Sequence, residues 1–260
     1  MANILQQIVD NKRREVEAIA SRRSYDCSGR EKMRSMSNAL ASSDTGIIAE
    51  FKRRSPSKGD IHPSALVTEV IPGYVSAGAT ACSILTDTPY FGGALTDLAL
   101  SRQLTDIPLL RKDFIVSEFQ IHEAACYGAD TVLLIASALS RDEIERFTSC
   151  AHDAGLEVLL ELHSMEELDK FCPEVEMTGV NNRNLSTFHT DPALSLKVAR
   201  ELPDNVVKIA ESGLSSMSEV SRLRDAGYRG FLIGETFMKE SDPSLALSRF
   251  LSEPPSKKPF

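Results

Sequence analysis

The segment Ile47–Gly59 has the sequence IIAEFKRRSPSKG, and it begins as a buried strand before a basic loop follows. Successive side chains of a strand point to opposite faces, so Glu50 and Lys52 share a face with Ile48. Burying charges is costly unless they are paired, which places this pair at the end of a strand rather than inside a core. A structural salt bridge at a strand end explains the pair equally well when this strand is considered alone.

Seven more apolar segments follow this one, separated by longer amphipathic segments. The eight predicted strands start at residues 46, 79, 107, 130, 156, 177, 205 and 230. Eight strands that alternate with helices are typical of a closed parallel barrel of about 250 residues. The sequence therefore predicts an α/β fold, the (β/α)8 TIM barrel. A doubly wound open sheet is the alternative, but it would place a GxGxxG motif after the first strand, where the sequence has none.

The predicted domain organisation is a single barrel domain over residues 1–260. Residues 1–45 precede the first strand and are predicted to form an N-terminal helical extension, since apolar residues such as Leu5 and Val9 recur at helical spacing. The segment 252–260, SEPPSKKPF, is predicted to be a loose C-terminal tail.

The composition excludes several classes of function. A net charge of -8 disfavours non-specific binding to nucleic acid or to an anionic membrane. The five cysteines are far apart and form no CxxC, which predicts reduced thiols in a cytoplasmic protein and no structural zinc site. No apolar run approaches the roughly 18 residues of a membrane span, and charges occupy the place of a signal peptide's apolar stretch.

Charged and amide side chains end five of the predicted strands. In addition to the pair on the first strand, they are Lys112, Glu161, Asn181, Arg183 and Glu211. The carboxyl ends of the strands form one rim of a barrel, and active sites lie at that rim. The convergence therefore predicts an active site there.

The last two strands end in Ser212-Gly213 and Gly234-Glu235. In phosphate-binding barrels, the loops after the seventh and eighth strands bind the phosphate through backbone N–H groups, and glycine allows that close approach. Ordinary turn glycines are the alternative. The pattern favours a small phosphorylated substrate.

These motifs resemble the indole-3-glycerol phosphate synthase family. Its signature, a Glu-x-Lys followed by Ser-Pro-Ser, is matched by Glu50, Lys52 and Ser55-Pro56-Ser57. Further matches in family order are LTDTPYFGG, KDFIVSEFQI, GVNNRNL, ESG and FLIGE, and together they span roughly residues 1–250.

The resemblance implies a carboxy-lyase of tryptophan biosynthesis. Its substrate would be 1-(2-carboxyphenylamino)-1-deoxyribulose 5-phosphate, which closes to indole-3-glycerol phosphate with loss of CO2 and water. No metal ion or organic cofactor is expected. A monomer or weak homo-oligomer is expected, in contact with other tryptophan-pathway enzymes.

The resemblance also implies roles for individual residues. The catalytic set is Lys112, Glu161, Lys52, Glu50, Asn181 and Glu211. Lys112 matches the general acid and Glu161 the base, while Lys52 binds substrate and is the candidate for a second acid. Which lysine serves which step stays open. Glu50 and Glu211 would orient the lysines.

The substrate-binding set implied by the resemblance has three parts. Arg183 and Ser55 would take the substrate carboxylate, an apolar wall would pack on the aromatic ring, and the last two strand ends would hold the phosphate. The full set is Ser55, Phe91, Phe114, Arg183, Leu185, Ser212, Gly213, Leu232, Gly234 and Glu235. Core packing is the alternative role for the two phenylalanines and Leu185.

The chain departs from the family pattern at three positions. Glu235 stands where a serine is frequent, Ala94 replaces a small serine, and Ala125 replaces an arginine. Two alternatives to this family fit the sequence less well. Phosphoribosylanthranilate isomerase needs a cysteine on the first strand, and a catalytically silent barrel would lack charged rim residues. The loop RRSPSKG is predicted to be mobile and to close over the site.

Overall fold

The computed structural model describes residues 4–25, 33–183, 190–191 and 193–254. Its barrel strands are β1 (Ile47–Phe51), β4 (Ala81–Leu85), β5 (Leu109–Lys112), β6 (Thr131–Ile135), β7 (Glu157–Leu162), β8 (Met177–Asn181), β9 (Val207–Glu211) and β10 (Gly230–Ile233). All are parallel, in the order β1-β10-β9-β8-β7-β6-β5-β4. The barrel closes where Ile47 pairs with Phe231 and Ile48 with Ala81. The predicted TIM barrel is confirmed, and the open sheet is excluded.

The helices lie outside the strands and at both ends of the barrel. They are α1 (Ile4–Ala20), α2 (Met36–Ser42), α3 (Val67–Ala77), α4 (Thr88–Phe91), α5 (Leu95–Leu104), α6 (Glu118–Cys126), α7 (Arg141–Asp153), α8 (Ala193–Val198), α9 (Met217–Asp225), α10 (Glu235–Met238) and α11 (Pro243–Ser252). A capping box of Ser140 and Glu143 begins α7. Gly78 ends α3 with a φ of 99°, a conformation that suits glycine.

Two local elements differ from the simple alternation of strands and helices. The connection from β7 to β8 holds only a 3-10 helix, Glu166–Lys170, because it is short. The loop after β1 contains an antiparallel hairpin, β2 (Arg54–Ser55) and β3 (Gly59–Asp60). The proposed mobility of this loop stays a prediction.

The alternation of side chains along the strands produces two hydrophobic cores. Ile48, Leu110 and Leu159 point into the barrel, whereas Ile47 and Ala49 pack under the surrounding helices. Each fully buried aliphatic side chain stabilises the fold by about 1.5–3 kcal/mol relative to exposure. Ile48 points inward, and Glu50, which shares its face of β1, therefore points into the barrel mouth.

Helix α2 closes the amino end of the barrel. Its Met36 and Leu40 are fully buried against the interior cluster. Glu157, the first residue of β7, accepts hydrogen bonds from the backbone N–H groups of Met36 and Ser37 at 2.7 and 2.9 Å. The hydroxyls of Ser35 and Ser37 donate to its other oxygen. A carboxylate therefore caps this helix from within the barrel.

The cysteines correct one expectation. Cys82, Cys150 and Cys172 carry free thiols. Cys126 at the end of α6 is disulfide-bonded, so the prediction of reduced thiols is wrong for this residue. Among the described residues, no helix is both long and apolar enough to cross a membrane.

Candidate active site

A pocket of about 340 Å³ opens at the carboxyl ends of the strands. Its volume lies in the range usual for small-molecule sites. The predicted site residues that line it are Glu50, Lys52, Ser55, Phe91, Lys112, Phe114, Glu161, Asn181, Arg183, Glu211, Ser212, Gly213, Leu232, Gly234 and Glu235. Leu185 lies outside the described residues. Sequence reasoning did not assign Ile4, Leu5 and Ile8 of α1 to this wall, although all three line it.

Lys112 lies at the centre of the charged floor. Its Nζ donates to Glu161 Oε2 at 2.9 Å and to Glu211 Oε2 at 2.6 Å. Burial alone would lower the pKa of Lys112, but the carboxylates of Glu161, Glu211 and Glu50 outweigh it and raise the pKa above its ordinary value. The ammonium group is therefore protonated at neutral pH.

The two carboxylates on Lys112 have different electrostatic environments. Burial favours the protonated form of both, but Lys112 and His163 hold the pKa of Glu161 well below its usual value. Burial raises the pKa of Glu211, and the nearby charge of Glu161 adds to that effect against the pull of Lys112. Because like charges at close range disfavour double ionisation, Glu161 is the ionised member and Glu211 is the one that binds a proton more readily.

Glu50 and Lys52 form a second pair on the floor. The Nζ of Lys52 lies 2.5 Å from Oε1 of Glu50, and the Glu50 side chain is almost fully buried. Gly234 directly follows the neighbouring strand β10, and a Cβ added there would lie 2.3 Å from the same oxygen. Glycine at this position therefore leaves the space that the Glu50 carboxylate occupies.

The loop after β1 reaches across the mouth to the opposite strands. Arg183 donates from Nη1 to Ser57 Oγ at 3.2 Å and from Nη2 to Glu235 Oε2 at 3.1 Å. Lys58 lies 3.4 Å from the other oxygen of Glu235. Burial would raise the pKa of Glu235, but Arg183 and Lys58 lower it below the usual value. Two cations and one carboxylate thus connect three loops over the pocket.

The base of that loop is fixed to the barrel. Arg53 pairs with Asp97 through Nη1 at 2.5 Å and Nη2 at 3.1 Å. It also donates from Nε to the carbonyl of Ala65 at 3.0 Å. Paired hydrogen bonds from one guanidinium hold a definite geometry. The hairpin therefore projects from an anchored base.

The turn after β9 has an unusual backbone conformation. Ser212 has a φ of 65°, and no other non-glycine residue in the described stretches has a positive φ. Gly213 follows with a φ of 77°. Asn182 donates to the carbonyl of Ser212 at 3.3 Å and is itself buried. Such sparsely populated conformations concentrate at functional sites, so this turn fits a role in ligand binding.

An apolar wall faces the charged floor. The rings of Phe91 and Phe114 are 6.1 Å apart between centroids, with an angle of 36° between their planes. Phe114 and Leu232 belong to the interior cluster, and Ile8 of α1 packs in the same cluster. The pocket therefore offers an aromatic and aliphatic surface to one part of a ligand.

Helix α1 is held on the mouth by a buried lysine. Lys12 Nζ lies 2.8 Å from Asp87 and 3.1 Å from Asp113, the residue after Lys112. Lys12 stands four residues from both Ile8 and Val16, on the buried face of the helix. That position was the signal available in the sequence, since a lysine in an apolar stripe needs a partner.

Comparison with known proteins gives the family. The family model for indole-3-glycerol phosphate synthase matches residues 5–250. The indole-3-glycerol phosphate synthase of Bacteroides thetaiotaomicron is 51% identical over 256 residues, which are 96% of this chain and 98% of that protein. The enzyme of the same name from Koribacter versatilis is 40% identical over 259 residues, 96% of this chain and all of that protein (100%).

Two solved structures share the fold alone. The N-acetylmannosamine-6-phosphate 2-epimerase of Clostridium perfringens has a TM-score of 0.60 at 12% identity, over 85% of this chain and 97% of that one. A thiamine phosphate pyrophosphorylase from Pyrococcus furiosus has a TM-score of 0.58 at 17% identity, over 84% and 96%. On the family model and the full-length relatives, the chain belongs to the indole-3-glycerol phosphate synthase family.

Proposed function

We propose that this pocket converts 1-(2-carboxyphenylamino)-1-deoxyribulose 5-phosphate into indole-3-glycerol phosphate, CO2 and water, as the family membership implies. The observation that carries the assignment of roles is the contact of Lys112 with both Glu161 and Glu211 on the floor of the pocket. It combines a charged acid, an ionised carboxylate and a protonatable carboxyl within hydrogen-bond distance of one another.

Ring closure needs an acid at the substrate carbonyl. The ring carbon that bears the carboxylate attacks the ribulose carbonyl, and the oxygen takes a proton to become a hydroxyl. Lys112 is the proposed donor because its ammonium group is buried, charged and directed into the pocket. Loss of CO2 then restores the aromatic ring.

Dehydration needs an acid and a base. The hydroxyl leaves as water after taking a proton, while a base removes a proton from the neighbouring carbon to complete the indole. Glu161 is the proposed base, since its carboxylate is the ionised one. Lys52 is the proposed second acid, held by Glu50 at 2.5 Å. Asn181, beside Glu211 in the sheet register, is the proposed partner of the reacting oxygen.

The two ends of the pocket are proposed to bind different anionic groups of the substrate. Arg183 and Ser55 are proposed to bind the anthranilate carboxylate, with the ring between Phe91 and Phe114. The phosphate is assigned to the backbone N–H groups of the turn at Ser212-Gly213 and of the start of α10 at Gly234-Glu235. In this arrangement the substrate competes with Glu235 for Arg183.

Other parts of the proposal concern the whole protein. We expect a cytoplasmic enzyme that needs no cofactor and acts as a monomer or weak homo-oligomer. Contact with other tryptophan-pathway enzymes stays a prediction.

The assignment of Lys112 is tested by indole fluorescence. The chain contains no tryptophan, so product formation is read against a low background. We expect wild type to form product and Lys112→Ala to lose about 10²–10⁴-fold in kcat, the usual contribution of a general acid. Lys197→Ala, at an exposed lysine on α8, is the matched control and keeps wild-type kcat. Near-normal turnover by a folded Lys112→Ala variant would remove Lys112 from the acid role.

A further inference from the structure

His163 lies beside Glu161, the proposed base, and is not among the residues that line the pocket. It follows β7 two residues after Glu161, so both side chains leave the chain on the same face. The Nε2 atom of His163 lies 3.0 Å from Oε1 of Glu161, and the His163 side chain is only 8% exposed. It does not belong to the pocket lining, so it reaches the reaction only through Glu161.

The far side of the imidazole ring is held by neighbouring loops. Nδ1 lies 3.3 Å from the hydroxyl of Ser137, which follows β6. The backbone N–H of His163 donates to Glu167 Oε2 at 2.6 Å, and the same oxygen lies 3.9 Å from Nδ1. These contacts fix the ring so that Nε2 faces Glu161.

The ring atom that faces Glu161, Nε2, lacks an aligned hydrogen bond in the part of the chain that the structure describes. Nε2 is buried and has no aligned hydrogen bond to any described residue, although Glu161 Oε1 is within hydrogen-bond distance. The interaction is therefore a close electrostatic contact rather than an aligned hydrogen bond. A buried donor left in this state costs free energy, so the core alone gives no reason to place histidine here.

The two oxygens of Glu161 consequently have separate partners. Oε2 accepts from Lys112, and Oε1 faces His163. Glu211 has no such histidine: its Oε1 has no hydrogen-bond partner among the described residues, and its second neighbour is the carboxyl group of Glu161. The groups that face His163 are Glu161 and Glu167, with Lys112 and Glu211 beyond Glu161. The asymmetry favours the ionised form on Glu161 rather than on Glu211.

We propose that His163 is a positioning residue, which holds Glu161 in the orientation that the proposed base requires. In this role, a hydrogen bond from Nε2–H across the 3.0 Å contact would hold Oε1, while Oε2 accepts from Lys112. The inference rests on the proposed function, because it assigns to Glu161 the role of the base. His163 itself makes no contact with the substrate.

The test compares two substitutions that differ in one donor. In His163→Gln, the side-chain amide nitrogen reaches the position of Nε2, whereas His163→Leu fills similar space without a donor. We expect His163→Leu to lose at least about tenfold in kcat, a part of a general base's contribution, with KM within about threefold of wild type. Its acid limb in the kcat–pH profile should move to higher pH, because Glu161 loses a partner that favours its ionised form. His163→Gln should recover most of the kcat.

A matched control exists on the surface. His152 Nε2 lies 3.0 Å from Glu176 Oε1, the same separation, but at the end of α7 away from the pocket. His152→Leu is expected to keep kcat and the pH profile. Where His163→Leu does not fold, His163→Asn replaces it, because its amide is too short to reach Glu161.

The outcomes separate this inference from the proposed function. Wild-type kcat and an unmoved acid limb in folded His163→Leu would overturn the positioning role. Equal losses in His163→Gln and the variant without the donor would also overturn it, since they would indicate packing. If wild type is active and Glu161→Gln is not, either of these outcomes overturns only the role of His163 and leaves the proposed function intact. If Glu161→Gln keeps wild-type turnover, the proposed base fails and the role of His163 fails with it.

Discussion

Two carboxylates on the pocket floor depend on glycines of adjacent strands. A Cβ at Gly179 would lie 2.4 Å from Glu211 Oε1, and one at Gly234 would lie 2.3 Å from Glu50 Oε1. Neither distance is compatible with van der Waals contact. Glycine at these two positions therefore leaves the space that the carboxylates of Glu211 and Glu50 occupy beside their lysines.

Glu211 makes the stability of the protein depend on pH. Burial raises the pKa of its carboxyl group in the folded chain. Such a group favours the fold while it is protonated, and this contribution is lost as pH rises from the unfolded value of about 4.3 through the raised folded value. We therefore expect Glu211→Gln, which keeps the shape without the charge, to gain in free energy of unfolding relative to wild type as pH is raised.

Urea unfolding of both proteins at several pH values between about 5 and 9 measures this difference. Glu145→Gln is the control, because Glu145 is an exposed partner of Arg141 on α7. Its difference from wild type should stay nearly constant. A stability difference for Glu211→Gln that does not change with pH, or that falls, would contradict the raised pKa.

At the scale of elements, α2 shows how a short helix is stabilised from outside. It has seven residues, and isolated helices of this length are unstable in water. Its N-terminus rests on Glu157, which accepts from two backbone N–H groups and two hydroxyls. The strand thus supplies the negative charge that a helix N-terminus favours.

Glu157→Ala should therefore lower the free energy of unfolding by about 2–3 kcal/mol, because a buried charged acceptor and its hydrogen bonds are lost. Turnover should stay close to wild type, since Glu157 is at the amino end of the barrel, opposite the pocket. Glu145→Ala, which removes an exposed ion pair, should change stability by less than about 1 kcal/mol. Denaturant unfolding and the fluorescence assay check both statements. A large loss of kcat with intact stability would show that the end of the barrel is coupled to the site.

At the scale of the whole molecule, the sequence predicted what depends on local periodicity. All eight barrel strands occur where apolar runs indicated them, and the polar residues at their ends meet in one pocket. The alternation of side chains along each strand was sufficient for this prediction, because inward-facing residues at the strand ends of a barrel all border the same site.

Contacts between distant segments were not predictable in the same way. Lys12 and Asn182 contact residues from other elements, and neither of them interrupts a strand. The sequence does not indicate a role for Gly179, because that role depends on the Glu211 carboxylate that lies beside it. The hairpin in the loop after β1 is too short to produce a strand pattern. These features follow from the three-dimensional arrangement rather than from periodicity.

The attachment of α1 to the barrel is the last of these long-range features, and a substitution of Lys12 tests it. Lys12 is buried between Asp87 and Asp113, whose carboxylates would be left without their shared cation in Lys12→Met. Removing one partner from a buried ion pair costs about 3–5 kcal/mol, so we expect a loss of stability of that order. Because α1 supplies Ile4, Leu5 and Ile8 to the pocket wall, KM should rise more than kcat falls.

Arg14→Met is the matched control, since Arg14 is an exposed cation on the same helix. It should change neither the melting temperature nor KM. A second variant, Lys12→Met with Asp87→Asn, removes the charge of Asp87, whereas Asp113 still pairs with Arg111 at 3.2 Å. The asparagine side-chain oxygen can still accept from Tyr90 N–H at the start of α4. Partial recovery of stability in this double variant would locate the cost in the Asp87 carboxylate that lost its cation. Equal stability of wild type and Lys12→Met would instead mean that α1 is held on the barrel by its apolar face alone.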